Sequence, residues 1–91
     1  MIIKERYIMT KKQAYEIAIK NEIGQVVDKF TVKSESNLMA LLEGERTFMS
    51  KHKDYTALDS GMWITDETCQ RDLTVGVGVL QVEKYFSIEL V

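Results

Sequence analysis

Apolar and polar residues alternate from Tyr15 to Lys20. Tyr15, Ile17 and Ile19 fall on one side of an extended chain, and Glu16, Ala18 and Lys20 on the other. Successive strand side chains point to opposite faces, so the segment predicts a strand with one apolar face. Asn21-Glu22-Ile23-Gly24 then has the composition of a type I turn closed by a glycine bulge. Asn bonds the backbone ahead of it, and Gly24 supplies a positive φ without steric cost. The returning run sets Val26, Phe30 and Val32 on one face, with Asp28 intruding, and Val27, Lys29, Thr31 and Lys33 on the other. A bulge near Val26 and Val27 would let both valines serve the core.

The period then changes. Ser34 or Ser36 is placed to cap a helix, with Glu35 near its positive end. Leu38, Leu41, Leu42, Phe48, Met49 and His52 follow helical spacing, broken only by Glu45, and the helix is expected to end near Lys53. Gly44 costs about 1 kcal/mol relative to Ala in a helix interior, so it marks a kink or a close backbone approach. Gly61 reads as a turn, Met62 to Thr65 as a short strand, and residues 66–72 as a polar loop. Leu73 to Val91 is strand-like throughout. One strand of that length would reach about 60 Å, so it must bend, with Gly76 and Gly78 the obvious places. Beyond the bend Leu80, Val82, Lys84, Phe86, Ile88 and Leu90 share a face.

The order is hairpin, helix, then two or three strands. It predicts a two-layer α+β domain spanning residues 1–91, one helix packed on a four- to five-stranded, mainly antiparallel sheet. A grasp-like sheet, with the last strand beside the first, and a plain meander both fit. Residues 1–9 alternate loosely and read as an edge strand or a loose arm. Met9 offers an alternative start that would make residues 1–8 dispensable.

Composition narrows the function classes. At 45% hydrophobic and 29% charged, the chain is built to fold rather than to stay disordered. Cys69 stands alone and cannot form an internal disulfide, the N-terminal segment lacks the apolar core of a signal peptide, and no run reaches membrane-spanning length. A cytosolic protein, bacterial or in a host cell, is expected. Charge is uneven: residues 1–33 carry seven Lys and Arg against four Asp and Glu, while residues 34–91 carry five against ten. Such a layout favours head-to-tail contacts, or a basic partner for the acidic end.

Little in the chain looks reactive. One Cys and one His offer at most two good zinc ligands where structural zinc takes four. His52 and Cys69 form a conceivable nucleophile–base pair, but Asp66, Glu67 and Asp72 beside Cys69 disfavour its thiolate. Gly76-Val77-Gly78 lacks the third glycine, the lysine and the following helix of a phosphate loop. No two of the fourteen acids are singled out by spacing as an acid–base pair. No enzyme, metal or cofactor is expected.

Contact is left as the occupation. The leading expectation is a non-catalytic protein-binding module with an acidic surface of Asp54, Asp59, Trp63, Asp66 and Glu67, the carboxylates steering a basic partner and Trp63 anchoring. Trp63 could equally serve a small core. Size and the missing catalytic set are also common among phage and mobile-element accessory proteins that inhibit host proteins. The first alternative is a nucleic-acid-binding domain using Lys20, Lys29 and Lys33 on the basic hairpin. The second is a structural subunit, a homodimer or larger assembly, pairing through edge strands; Lys84 to Val91 would serve if that strand lay at an edge.

Overall fold

The computed structural model describes residues 11–65 and 68–91. The expected arm at residues 1–9 lies outside them. The first alternating run becomes β1 (Gln13–Asn21), and the chain returns as β2 (Val26–Ser34). The turn forms as its residues dictate. The Gly24 N–H donates to the Asn21 carbonyl at 3.0 Å, and the Asn21 side-chain oxygen accepts from the N–H groups of Ile23 and Gln25. Gly24 has a φ of 84°, the left-handed conformation that glycine adopts without strain. The register shifts between Ile19 and Lys20, which leaves Val27 as the extra residue of a bulge. The bulge does not carry the two valines into the core, and both stay exposed. Lys51, just past the helix, already reaches Asp28, so no helix lies over Val26 and Val27.

Ser36 caps α1 (Asn37–Ser50), its Oγ accepting from the Met39 N–H at 3.2 Å, while Ser34 ends β2 and is buried. The helix buries Leu41 and Phe48 of the expected stripe, but beside them Ala40 and Gly44 rather than Leu38, Leu42 and Met49. Leu38 is exposed, and Leu42 and Met49 are half-buried. Small residues explain the rotation. A Cβ on Gly44 would lie 3.1 Å from Cγ2 of both Ile17 and Ile88. Glycine therefore lets the helix backbone settle onto two central strands, and of its two expected roles close approach is the one that holds.

β3 (Tyr55–Ile64), β4 (Cys69–Val77) and β5 (Val82–Leu90) continue as an antiparallel meander, and β5 then pairs with β1. The sheet order is β2-β1-β5-β4-β3. The last strand thus lies beside the first, as in the grasp-like alternative, but every pairing is antiparallel. The expected α+β class, one helix on an antiparallel sheet after a leading hairpin, is what forms. Ile17, Ile19, Leu73, Val75 and Ile88 from the sheet and Leu41 and Phe48 from the helix make the fully buried centre.

Three local expectations are corrected. Gly61 lies inside β3, facing Asp72 across the ladder, and not in a turn. Cys69 to Asp72, expected as loop, open β4. Their polarity follows from position: Gln70 and Asp72 face the uncovered side of the sheet, and Arg71 on the helix side is paired with Glu45 and donates to Ser60 Oγ at 2.8 Å. The long C-terminal run bends once, at Gly78 to Gln81, where both end residues have positive φ. Gly76 stays in β4 with the Gln81 side chain folded over it. The run's final strand is interior, which removes it as a pairing edge.

Gly44→Ala sets a helix-propensity gain of about 1 kcal/mol against the larger cost of forcing a methyl between two packed β-branched chains. Chemical denaturation should show a net loss of about 1 kcal/mol. A stabilised variant would mean that Ile17 and Ile88 yield and that the close approach is not enforced.

Candidate functional site

One face of the sheet carries α1 and the other is uncovered. On the uncovered face the registers line up Lys29, Ala18, Glu89, Gln70 and Trp63 in a single row across all five strands. The row runs from a basic edge to an acidic one. At the β2 end Lys20, Lys29 and Lys33 share the face, as the nucleic-acid alternative requires. Lys20 is paired with Glu89 at 3.0 Å, and Lys29 lies 3.9 Å from Glu16. Two of the three cations are therefore largely offset by carboxylates of the same face.

At the other end Trp63 is 59% exposed, which overturns its reading as a core residue. Its indole N–H donates to one carboxylate oxygen of Asp72, and Gln70 Nε2 donates to the other at 2.9 Å. Asp59 stands further along the same face of β3 and accepts from the Ser60 N–H at 2.9 Å. None of the ion pairs among the described residues involves Asp59 or Asp72. Both carboxylates are held by neutral donors and keep an unbalanced charge.

The structure divides the residues chosen from sequence. Asp59 and Trp63 belong together. Asp54 sits before β3 at the far end, its carbonyl accepting from the Gly78 N–H at 2.9 Å. Nine positions of extended chain separate it from Trp63, about 30 Å at strand rise, so it joins no common patch. Asp66 and Glu67 lie outside the described residues. Asp72 is the member that sequence reasoning left out. Its place follows from Gln70-Arg71-Asp72-Leu73 alternating as a strand, which a loop assignment hides.

β3 is also the exposed edge. Among the described residues its one neighbouring strand is β4, and α1 packs on β1, β2, β4 and β5 without comparable contact to β3. Between the helix and β3 runs an open groove of about 720 Å³, lined by Leu42, Met49, Tyr55 and Ala57 with Glu45 and Arg46 at its side. A second, smaller cavity of about 340 Å³ lies past the helix end, over Phe48, His52, Tyr55 and Phe86 and against Ile23 and Val27. His52 and Tyr55 stack there with ring centroids 4.3 Å apart. No periodicity forecasts this aromatic cluster, because it gathers from α1, β3 and β5.

His52 and Cys69 do not meet. Cys69 pairs with Ile64 at one end of the β3–β4 ladder, and His52 stacks on Tyr55 at the other. Among the described residues no group of three or more His, Cys, Asp or Glu is arranged to hold a metal ion, and no helix is long and apolar enough to cross a membrane.

Midway along the row, Glu89 accepts from Ser87 Oγ at 2.7 Å and pairs with Lys20, and these partners hold its carboxyl below the usual range. A depressed pKa contributes stability above the unfolded value, lost as pH falls through the folded one. Glu89→Gln should therefore cost about 0.5 kcal/mol at neutral pH, and the difference should vanish in acid below the carboxylate range. Parallel denaturation curves across pH test it; a difference that persists in acid would assign the effect to packing. Compared with known protein families, with curated proteins and with solved structures, the chain matches none.

Proposed function

We propose that this protein is a small, non-catalytic binding module that docks a larger protein through the Trp63 side of its sheet. The observation that carries the reading is an exposed indole fixed by a carboxylate at an edge where Asp59 and Asp72 pair with no cation among the described residues. Trp buries a large area at low entropic cost, which makes it a favoured anchor. Its hydrogen bond to Asp72 limits the ring's freedom before any partner arrives, which lowers the entropy lost on binding. Asp59 and Asp72 would steer a basic surface toward it. An acidic face of this kind competes for surfaces that bind phosphate, which is one route to inhibiting a nucleic-acid-binding partner.

The non-catalytic part rests on chemistry. The one thiol and the one imidazole lie apart, and the carboxylates of Asp59 and Asp72 accept from an indole, an amide and a backbone N–H, none of which is a nucleophile for them to activate. The basic hairpin supports the nucleic-acid alternative less well, since Lys20 and Lys29 already face carboxylates.

The test is capture from the native lysate, identification of the retained protein, and affinity measurement on variants. Trp63→Ala should weaken binding by about 2 kcal/mol, roughly thirtyfold, with the far-ultraviolet dichroism unchanged. Added salt should slow association more than it speeds dissociation. Equal affinity of Trp63→Ala and the parent chain would end the proposal.

A further inference from the structure

Two edges bound this sheet, and they differ. β2 carries Asp28, Lys29 and Lys33, contains a bulge and has α1 packed over it, all features that discourage another strand from adding. β3 is the longest strand, ten residues with no Lys, Arg or Pro and Asp59 as its one charge. Its irregularity is confined to Leu58, between Ala57 and Asp59. From Asp59 to Ile64 the ladder to β4 is regular. Alternate residues of such a stretch direct their N–H and C=O groups away from the sheet, where no strand among the described residues receives them.

We infer that the Asp59–Ile64 edge binds an extended segment of a basic partner as a sixth strand, one whose side chains alternate between apolar and Lys or Arg. The inference rests on the protein-binding reading and specifies its chemistry. An added strand continues the two faces of β3. On the helix side its side chains meet Ser60, the half-buried Met62 and the exposed Ile64, and the two large apolar chains call for apolar residues. On the uncovered side they meet Asp59, Gly61 and Trp63, with Asp72 one strand inward. Two unbalanced carboxylates and an exposed indole face call for cations at every second position, since Trp attracts cations through its ring as well. Gly61 has no atom within 4 Å of where a Cβ would stand, so the middle cation finds room.

A second copy is the poorer occupant. Two-fold pairing of β3 with itself would gather both copies' Asp59 and Asp72 on one face with no cation between them. The like charges oppose the pairing.

The test uses the full chain and a blocked Lys-Val-Lys-Val-Lys-Val-Lys peptide, followed by backbone amide spectra and hydrogen exchange. Saturable binding should shift the β3 amides and the Trp63 indole N–H, and slow exchange at outward β3 amides by about tenfold or more. A Glu-Val analogue should not bind. Methylating alternate peptide nitrogens, which keeps charge and shape but removes backbone donors, should weaken binding about tenfold or more. Asp59→Lys should do the same without altering the fold. Equal binding of the methylated peptide would overturn strand addition while leaving the acidic Trp63 surface intact. Loss of the Trp63→Ala effect on the captured partner would remove the parent reading instead. Concentration-dependent protection of β3 without peptide would overturn the inference in favour of self-pairing.

Discussion

A helix about 10 Å wide cannot cover five strands spaced about 4.8 Å apart. That mismatch in width governs this molecule. α1 lies over the middle of the sheet, where Gly44 lets it settle onto Ile17 and Ile88, and it also packs on β2. The arrangement leaves β3 outside the covered area. On its helix side β3 offers Ala57 to a groove and only Tyr55 and Met62 to the margin of the core, and on the other it faces solvent. The strand holds through its ladder to β4 and through Arg71, which ties it at Ser60 to the helix at Glu45. An element held this way is well formed and little buried, a combination suited to meeting something else.

The hairpin was readable because its signals are local. Alternation, an Asn that bonds ahead, and a glycine in the left-handed region act within a dozen residues, and the structure repeats them bond for bond. The β3–β4 ribbon was not readable for the converse reason. Cys69 to Asp72 look like loop because their polarity is judged against a core, whereas an outer strand with one uncovered face has little core to satisfy. Arg71 looks solvated until its carboxylate, twenty-six positions back in the chain, is brought beside it. The helix stripe misled in another way. Hydropathy ranks Leu38 above Ala40 and Gly44, but where the helix backbone lies closest to the sheet volume decides, so the two small residues share the buried side with Leu41 and Phe48.

The site shows the same division. Asp59 and Trp63 share a face because they lie four residues apart on a strand, a relation that follows from parity once the strand is known. Asp54 and Trp63 look equally related in a list of acidic positions, yet strand rise carries them to opposite ends. Asp72 reaches the indole across the ladder, through a pairing of Gly61 with Asp72 that no count of composition supplies. Charge balance by segments foresaw a basic end and an acidic end. It could not foresee that the two would become opposite edges of one sheet.

That placement has a physical consequence for the protein itself. Between the edges, Lys20 and Glu89 pair at the centre of the face, so the interior of the row is neutral and the imbalance is pushed outward. Lysines at β2 discourage strand addition there, as charges on edge strands generally do. At β3 the single aspartate discourages only partners of like charge. If the edge takes a partner strand as inferred, it would be selective before any side chain packs, with repulsion doing as much of the choosing as attraction. Selectivity of this kind needs no pocket. It needs a strand that the helix is too narrow to cover and a charge that no described residue of the same face cancels.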